Sequence, residues 1–68
     1  MTHMFDPSEP TELELLAAQS VPLDELRAEA KRTAAEMGDP FQDVAGLIRA
    51  VHAEKLLQYE IQRRREAL

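Results

Sequence analysis

The sequence predicts an all-α protein: a short N-terminal helix followed by an antiparallel helical hairpin whose C-terminal arm is long. Three observations carry this. Apolar residues recur at spacings of three and four from Leu13 to the end of the chain, helix-start and helix-stop residues fall at the boundaries of those runs, and β-branched residues never alternate with polar ones over several positions.

The first ten residues, Met1 to Pro10, include Asp6, Pro7, Ser8, Glu9 and Pro10. Their turn-forming composition predicts a flexible arm, and residues 11–68 then form one small helical domain. Thr11 and Glu14 have capping-box spacing, which places a first helix at about 11–19 with Leu13, Leu16, Ala17 and Ser20 on one face and Leu15 turned away. Ser20 and Pro22 together read as the next start, since a serine oxygen can accept from unpaired amides and a proline in the first turn gives up no hydrogen bond. A second helix over about 21–37 carries Leu23, Leu26, Ala30, Thr33 or Ala34, and Met37 in a narrow seam suited to a facing helix. Its acids, Glu25 and Glu29, come before its bases, Lys31 and Arg32, the order that the helix dipole favours. Gly38 is placed to end it in a left-handed conformation, and Asp39, Pro40 and Gln42 to begin the third helix at once. So short a link turns the two helices antiparallel or steeply across one another.

The third helix, about 40–66, has apolar residues on two sides. At about 100° per residue, Phe41, Val44, Ala45, Ile48, Val51, Leu56 and Tyr59 share one broad stripe, assigned to the intramolecular core. On roughly the opposite side stand Gly46, Ala50, Ala53, Leu57 and Ile61, with Leu47 at the margin. This second row begins small and ends large, so it allows close helix approach and then offers side chains for burial; it is the expected partner-binding face. A chain of 68 residues without cysteine has neither disulfides nor thiolate metal sites to support so small a core. Completion as an oligomeric helical bundle, most simply a homodimer, follows as an expectation.

Charge and composition exclude several function classes. The net charge is -5 and the hydrophobic content 44%, which fits a folded chain and argues against a general nucleic-acid or membrane-surface binder. There is no apolar run long enough to span a bilayer and no secretory leader pattern, so a cytoplasmic location is expected. The Ala, Glu and Arg content is of a kind met in bacterial and phage proteins.

Catalytic chemistry is thin. His52 has Lys55 and Leu56 at the positions where a second metal ligand would stand, so no metal is assigned. The acidic neighbours Glu12 with Glu14, and Asp24 with Glu25, do not face each other on a helix. Ser8, Thr11 and Ser20 serve better as caps than as nucleophiles, and with Gly38 and Gly46 as the sole glycines there is no phosphate loop. The expectation is a non-enzymatic module without cofactors that acts as adaptor, inhibitor or accessory subunit through its long helix, binding itself or a larger protein. The alternative is a dimeric nucleic-acid regulator in which Arg49, Arg63, Arg64 and Arg65 contact phosphates.

Overall fold

The computed structural model describes residues 6–67 and is all helical in its regular structure, with α1 over Glu12–Ala18, α2 over Leu23–Glu36 and α3 over Val44–Glu66. No strand occurs among the described residues. α2 and α3 pack as the hairpin, and α1 lies mainly on α3. At about 1.5 Å per residue α3 is about 34 Å long and α2 about 21 Å, so the C-terminal end of α3 runs past α2 and meets the end of α1. The molecule measures 41 × 36 × 16 Å between Cα extremes, a slab instead of a sphere.

Each boundary has a local cause. Thr11 and Glu14 form the expected capping box: the Glu14 amide donates to Thr11 Oγ1 at 3.2 Å and the Thr11 amide to Glu14 Oε1 at 3.0 Å. Ser20 closes α1 instead of opening α2, because its hydroxyl donates to the Ala17 carbonyl at 3.1 Å; the residue preceding α2 is Pro22, which provides no side-chain cap. α2 ends at Met37 in an extended conformation, and neither glycine has a positive φ, so Gly38 is not the left-handed stop expected of it.

The start of α3 also differs from expectation. Asp39 caps a turn, its Oδ1 accepting from the Phe41 amide at 3.0 Å, and the helix begins at Val44 with Asp43 as its cap. One carboxylate does two tasks there: Asp43 Oδ1 accepts from the Gly46 amide and Oδ2 from the Gly38 amide, both at 3.0 Å, tying the chain just after α2 to the first turn of α3. Both bonds hold its carboxyl below the usual aspartate value, that from Gly38 more strongly. Gly46 is required for this contact, since a Cβ there would stand 2.7 Å from Asp43 Cγ.

The core is small. Its buried apolar residues are Ala18, Leu26, Ala30, Ala53 and Leu57, with Val21, Leu23, Leu56 and Ile61 packed around them. α3 therefore turns inward the row that contains Gly46, Ala53 and Leu57, and only part of the row expected to form the core is covered: Leu56 packs against the core and Ile48 and Val51 are half-buried, whereas Phe41 is 92% exposed, and Val44 and Tyr59 are also exposed. The physical reason is close approach. Ala53 opposite the Leu26 and Ala30 seam lets the helices come together, which the larger side chains of the other row would prevent. α1 is turned over in the same way: Ala18 is buried and Leu15 half-buried, while Leu13 and Leu16 are 79% and 61% exposed. Polar contacts fix that roll.

Candidate functional site

Two polar hubs on α3 hold the N-terminal segment. The upper hub is Lys55, whose Nζ donates to Glu9 Oε2 at 2.9 Å, Asp6 Oδ2 at 3.2 Å and Ser8 Oγ at 3.3 Å. The Tyr59 hydroxyl donates to the other oxygen of Glu9. Asp6 in turn accepts from the amide and hydroxyl of Ser8, at 3.0 and 2.7 Å. Ser8 and Pro10 are buried by this arrangement. Of the arm expected to be flexible, Met1 to Phe5 lies outside the described residues, whereas Asp6 to Pro10 is strapped across α3. His52 continues the strap, with Nε2 2.7 Å from Glu14 Oε2.

These contacts shift the groups that make them. Tyr59 and then Lys55 hold the Glu9 carboxyl below its ordinary value by hydrogen bonding, and Ser8 does the same for Asp6. Glu9, followed by Asp6, raises Lys55, and Glu9 raises the Tyr59 phenol. For Glu14 the largest cause of its lowered pKa is the Thr11 amide, with His52 a smaller one.

The lower hub is Glu60, a carboxylate only 1% exposed. Arg63 binds it through Nε at 3.0 Å and Nη2 at 2.9 Å, and Arg64 through Nε at 3.0 Å. Arg64 Nη2 reaches on to the link between α1 and α2, donating to Val21 O at 2.6 Å and to Ala18 O, the last residue of α1, at 3.4 Å. The Arg63 bonds outweigh the cost of burial, so the Glu60 carboxyl lies below the usual glutamate value. Glu60 stands in the inward row with Ala53 and Leu57, at spacings of three and four. An acid in that row with arginines three and four residues on was a readable signal of this hub, as was Lys55 within reach of an acidic arm.

The residues singled out from sequence are thereby divided. Gly46, Ala53 and Leu57 of the expected partner face are buried within the chain, and Ala50 and Ile61 are half-buried. Of the arginines, Arg63 and Arg64 are engaged by Glu60, while Arg49 and Arg65 are exposed. His52 pairs with Glu14, and among the described residues no group of three metal-ligating side chains gathers.

An open surface remains between α2 and α3, bordered at its α3 edge by Lys55 and Tyr59, which hold the strap. There α2 and α3 enclose a groove formed by two hollows of ≈ 510 and ≈ 570 Å³, which share Ala30, Ala34 and Glu54. Ala50 and Val51 line the first hollow and Leu57 the second. The chain was compared with protein-family models, curated proteins and solved structures, and none matches it. No helix among the described residues is long and apolar enough to cross a membrane.

Proposed function

We propose that this chain is a small helical protein–protein interaction module, without catalytic activity or cofactor, that acts as adaptor, inhibitor or accessory subunit by presenting α3 and the groove beside it. The observation that carries the reading is the apolar surface left uncovered on the hairpin: the groove over Ala30, Ala34, Ala50 and Val51, with Phe41 and Val44 exposed at the start of α3. A surface of this kind on a small chain is the mark of a contact with another protein. Helical partners suit it, because its walls are themselves two helices.

The phosphate-binding alternative has less support. Glu60 offsets one of the three positive charges at the arginine-rich end and holds both Arg63 and Arg64, and Arg64 is turned to the carbonyls of Ala18 and Val21. Light scattering at several protein concentrations, in about 50 mM and 1 M salt and with added duplex DNA, separates the two readings. Contact through apolar surface gives a mass above that of one chain that holds or rises with salt. A folded monomer that binds duplex DNA, with affinity falling steeply as salt increases, overturns the proposal in favour of phosphate contact.

A further inference from the structure

We infer that the groove is the seat of a second copy of this chain, packed so that α2 of each copy lies along α3 of the other in an antiparallel four-helix bundle. The inference rests on the interaction reading above and supplies its partner. Its basis is the charge on the two walls. α2 contributes Arg27 and Lys31 to the groove, with Asp24 at its first turn, and α3 contributes Glu54 and Lys55, the latter already paired with Asp6 and Glu9 of the strap. Glu54 accepts from Gln58 Nε2 at 2.9 Å, but among the described residues neither Arg27 nor Lys31 has an ion-pair or hydrogen-bonded partner. One wall is thus basic and the other acidic, at the same level of the hairpin.

α1 itself is held elsewhere on α3, and the strap that precedes it meets the groove at its α3 edge, through Lys55 and Tyr59. Glu54 stands about 200° around α3 from His52, the residue that holds α1 through Glu14. The slab is 16 Å thick, and its core contains just two residues larger than alanine, Leu26 and Leu57. Packed helical domains normally close a core between two layers. A second slab laid on the groove would supply the missing layer.

Charge then selects the packing. Two copies facing each other across the groove are related by a two-fold axis running either across the helices or along them. An axis across the helices, centred on the Ala30, Ala34 and Glu54 that both hollows share, sets Glu54 against Glu54 and lays the basic wall of one α2 on the other. Like charges so placed repel. An axis along the helices lays α2 on the partner copy's α3 and keeps every residue at its own height. Because Arg27, Lys31 and Glu54 line one hollow within a single chain, they then meet across the interface, and the symmetry makes the pairing twice. Neighbouring helices run in opposite directions, as their dipoles favour, about either axis, so the choice between the two rests on the side-chain charges.

A charge exchange tests the arrangement. Glu54→Lys alone, and Arg27→Glu with Lys31→Glu as a second variant, alter exposed side chains and leave the core untouched. Each variant is expected to weaken self-association about tenfold or more, while an equimolar mixture of the two restores a mixed dimer to within about threefold of the original affinity. Circular dichroism confirms that each variant is helical, and sedimentation equilibrium reads the affinities. If the natural chain associates but neither variant weakens it, or the mixture is not restored, this packing is overturned while the interaction reading stands. A natural chain that remains monomeric at millimolar concentration also overturns it, and the salt and DNA measurements above then decide separately on the interaction reading.

Discussion

Replacing Glu60 by Gln keeps the shape of the side chain and removes its charge, so it isolates what the buried carboxylate contributes. Glu60 is 1% exposed and accepts charge-assisted hydrogen bonds from Arg63 Nε, Arg63 Nη2 and Arg64 Nε. A hydrogen bond to a charged group contributes about 1 kcal/mol more than a neutral one, which sets the loss at about 3 kcal/mol if none is recovered. The Arg63 and Arg64 side chains are 42% and 30% exposed, so water recovers part of it, and about 2 kcal/mol remains. For a chain of 68 residues, whose whole stability is about 3–10 kcal/mol, that is a large fraction, equivalent to a fall of about 10 °C in Tm. Urea unfolding followed by circular dichroism measures it. The loss should also be uneven: Arg64 is held by Glu60 while it caps the carbonyls of Ala18 and Val21, so hydrogen exchange in α1 should accelerate before that in α2. A change below about 0.5 kcal/mol, or equal acceleration in both helices, refutes the idea that Glu60 organises this end of the molecule.

Three further expectations follow from the same geometry. Tyr59 is the single tyrosine and there is no tryptophan, so absorbance near 295 nm titrates one group: its pKa should lie above 10.0 in the natural chain and fall towards that value in Glu9→Ala, and identical titrations would mean that the strap is not formed. In acid, the carboxyls of Asp6, Glu9, Glu14, Asp43 and Glu60 all lie below their ordinary values of 3.8 for Asp and 4.5 for Glu; their contribution to stability is complete above those values and lost as pH falls through the lower folded ones. The urea midpoint should therefore be clearly lower at pH 3 than at pH 6, and equal midpoints would contradict the assignment. Leu57→Ala removes one of the two large buried side chains and should cost about 2–3 kcal/mol, at the low end for such a change because the adjoining groove admits water; a loss under about 1 kcal/mol would show that the hairpin packs otherwise.

How much of this was legible in the sequence can be stated residue by residue. The all-α class, the three helices and the Thr11 capping box follow from local spacing, and local spacing is what decides them. The roll of each helix was harder, because α1 and α3 each carry apolar residues on two sides and periodicity alone gives both rows equal standing. What settles it is non-local: Ala53 fits the seam of α2, and Arg64 and His52 fix α1 so that Ala18 faces inward and Leu13 outward. The start of α3 was missed for a similar reason. Asp39 and Asp43 are both competent caps, and the choice falls to Asp43 because its second oxygen also takes up the Gly38 amide. As for the candidate site, Ala50 and Leu57 do line the open groove, Leu57 while buried in the hairpin's core, but Gly46 and Ala53 serve the chain's own hairpin, and the basic wall of Arg27 and Lys31 depends on which side of α2 borders the groove with α3.

Sedimentation equilibrium of the natural chain in high salt is the most direct measurement of the central claim. The groove between α2 and α3, covered by a second copy, gives a mass of twice 7.7 kDa that persists as ionic strength rises. A mass of 7.7 kDa maintained up to millimolar concentration, with the helices intact, would contradict it.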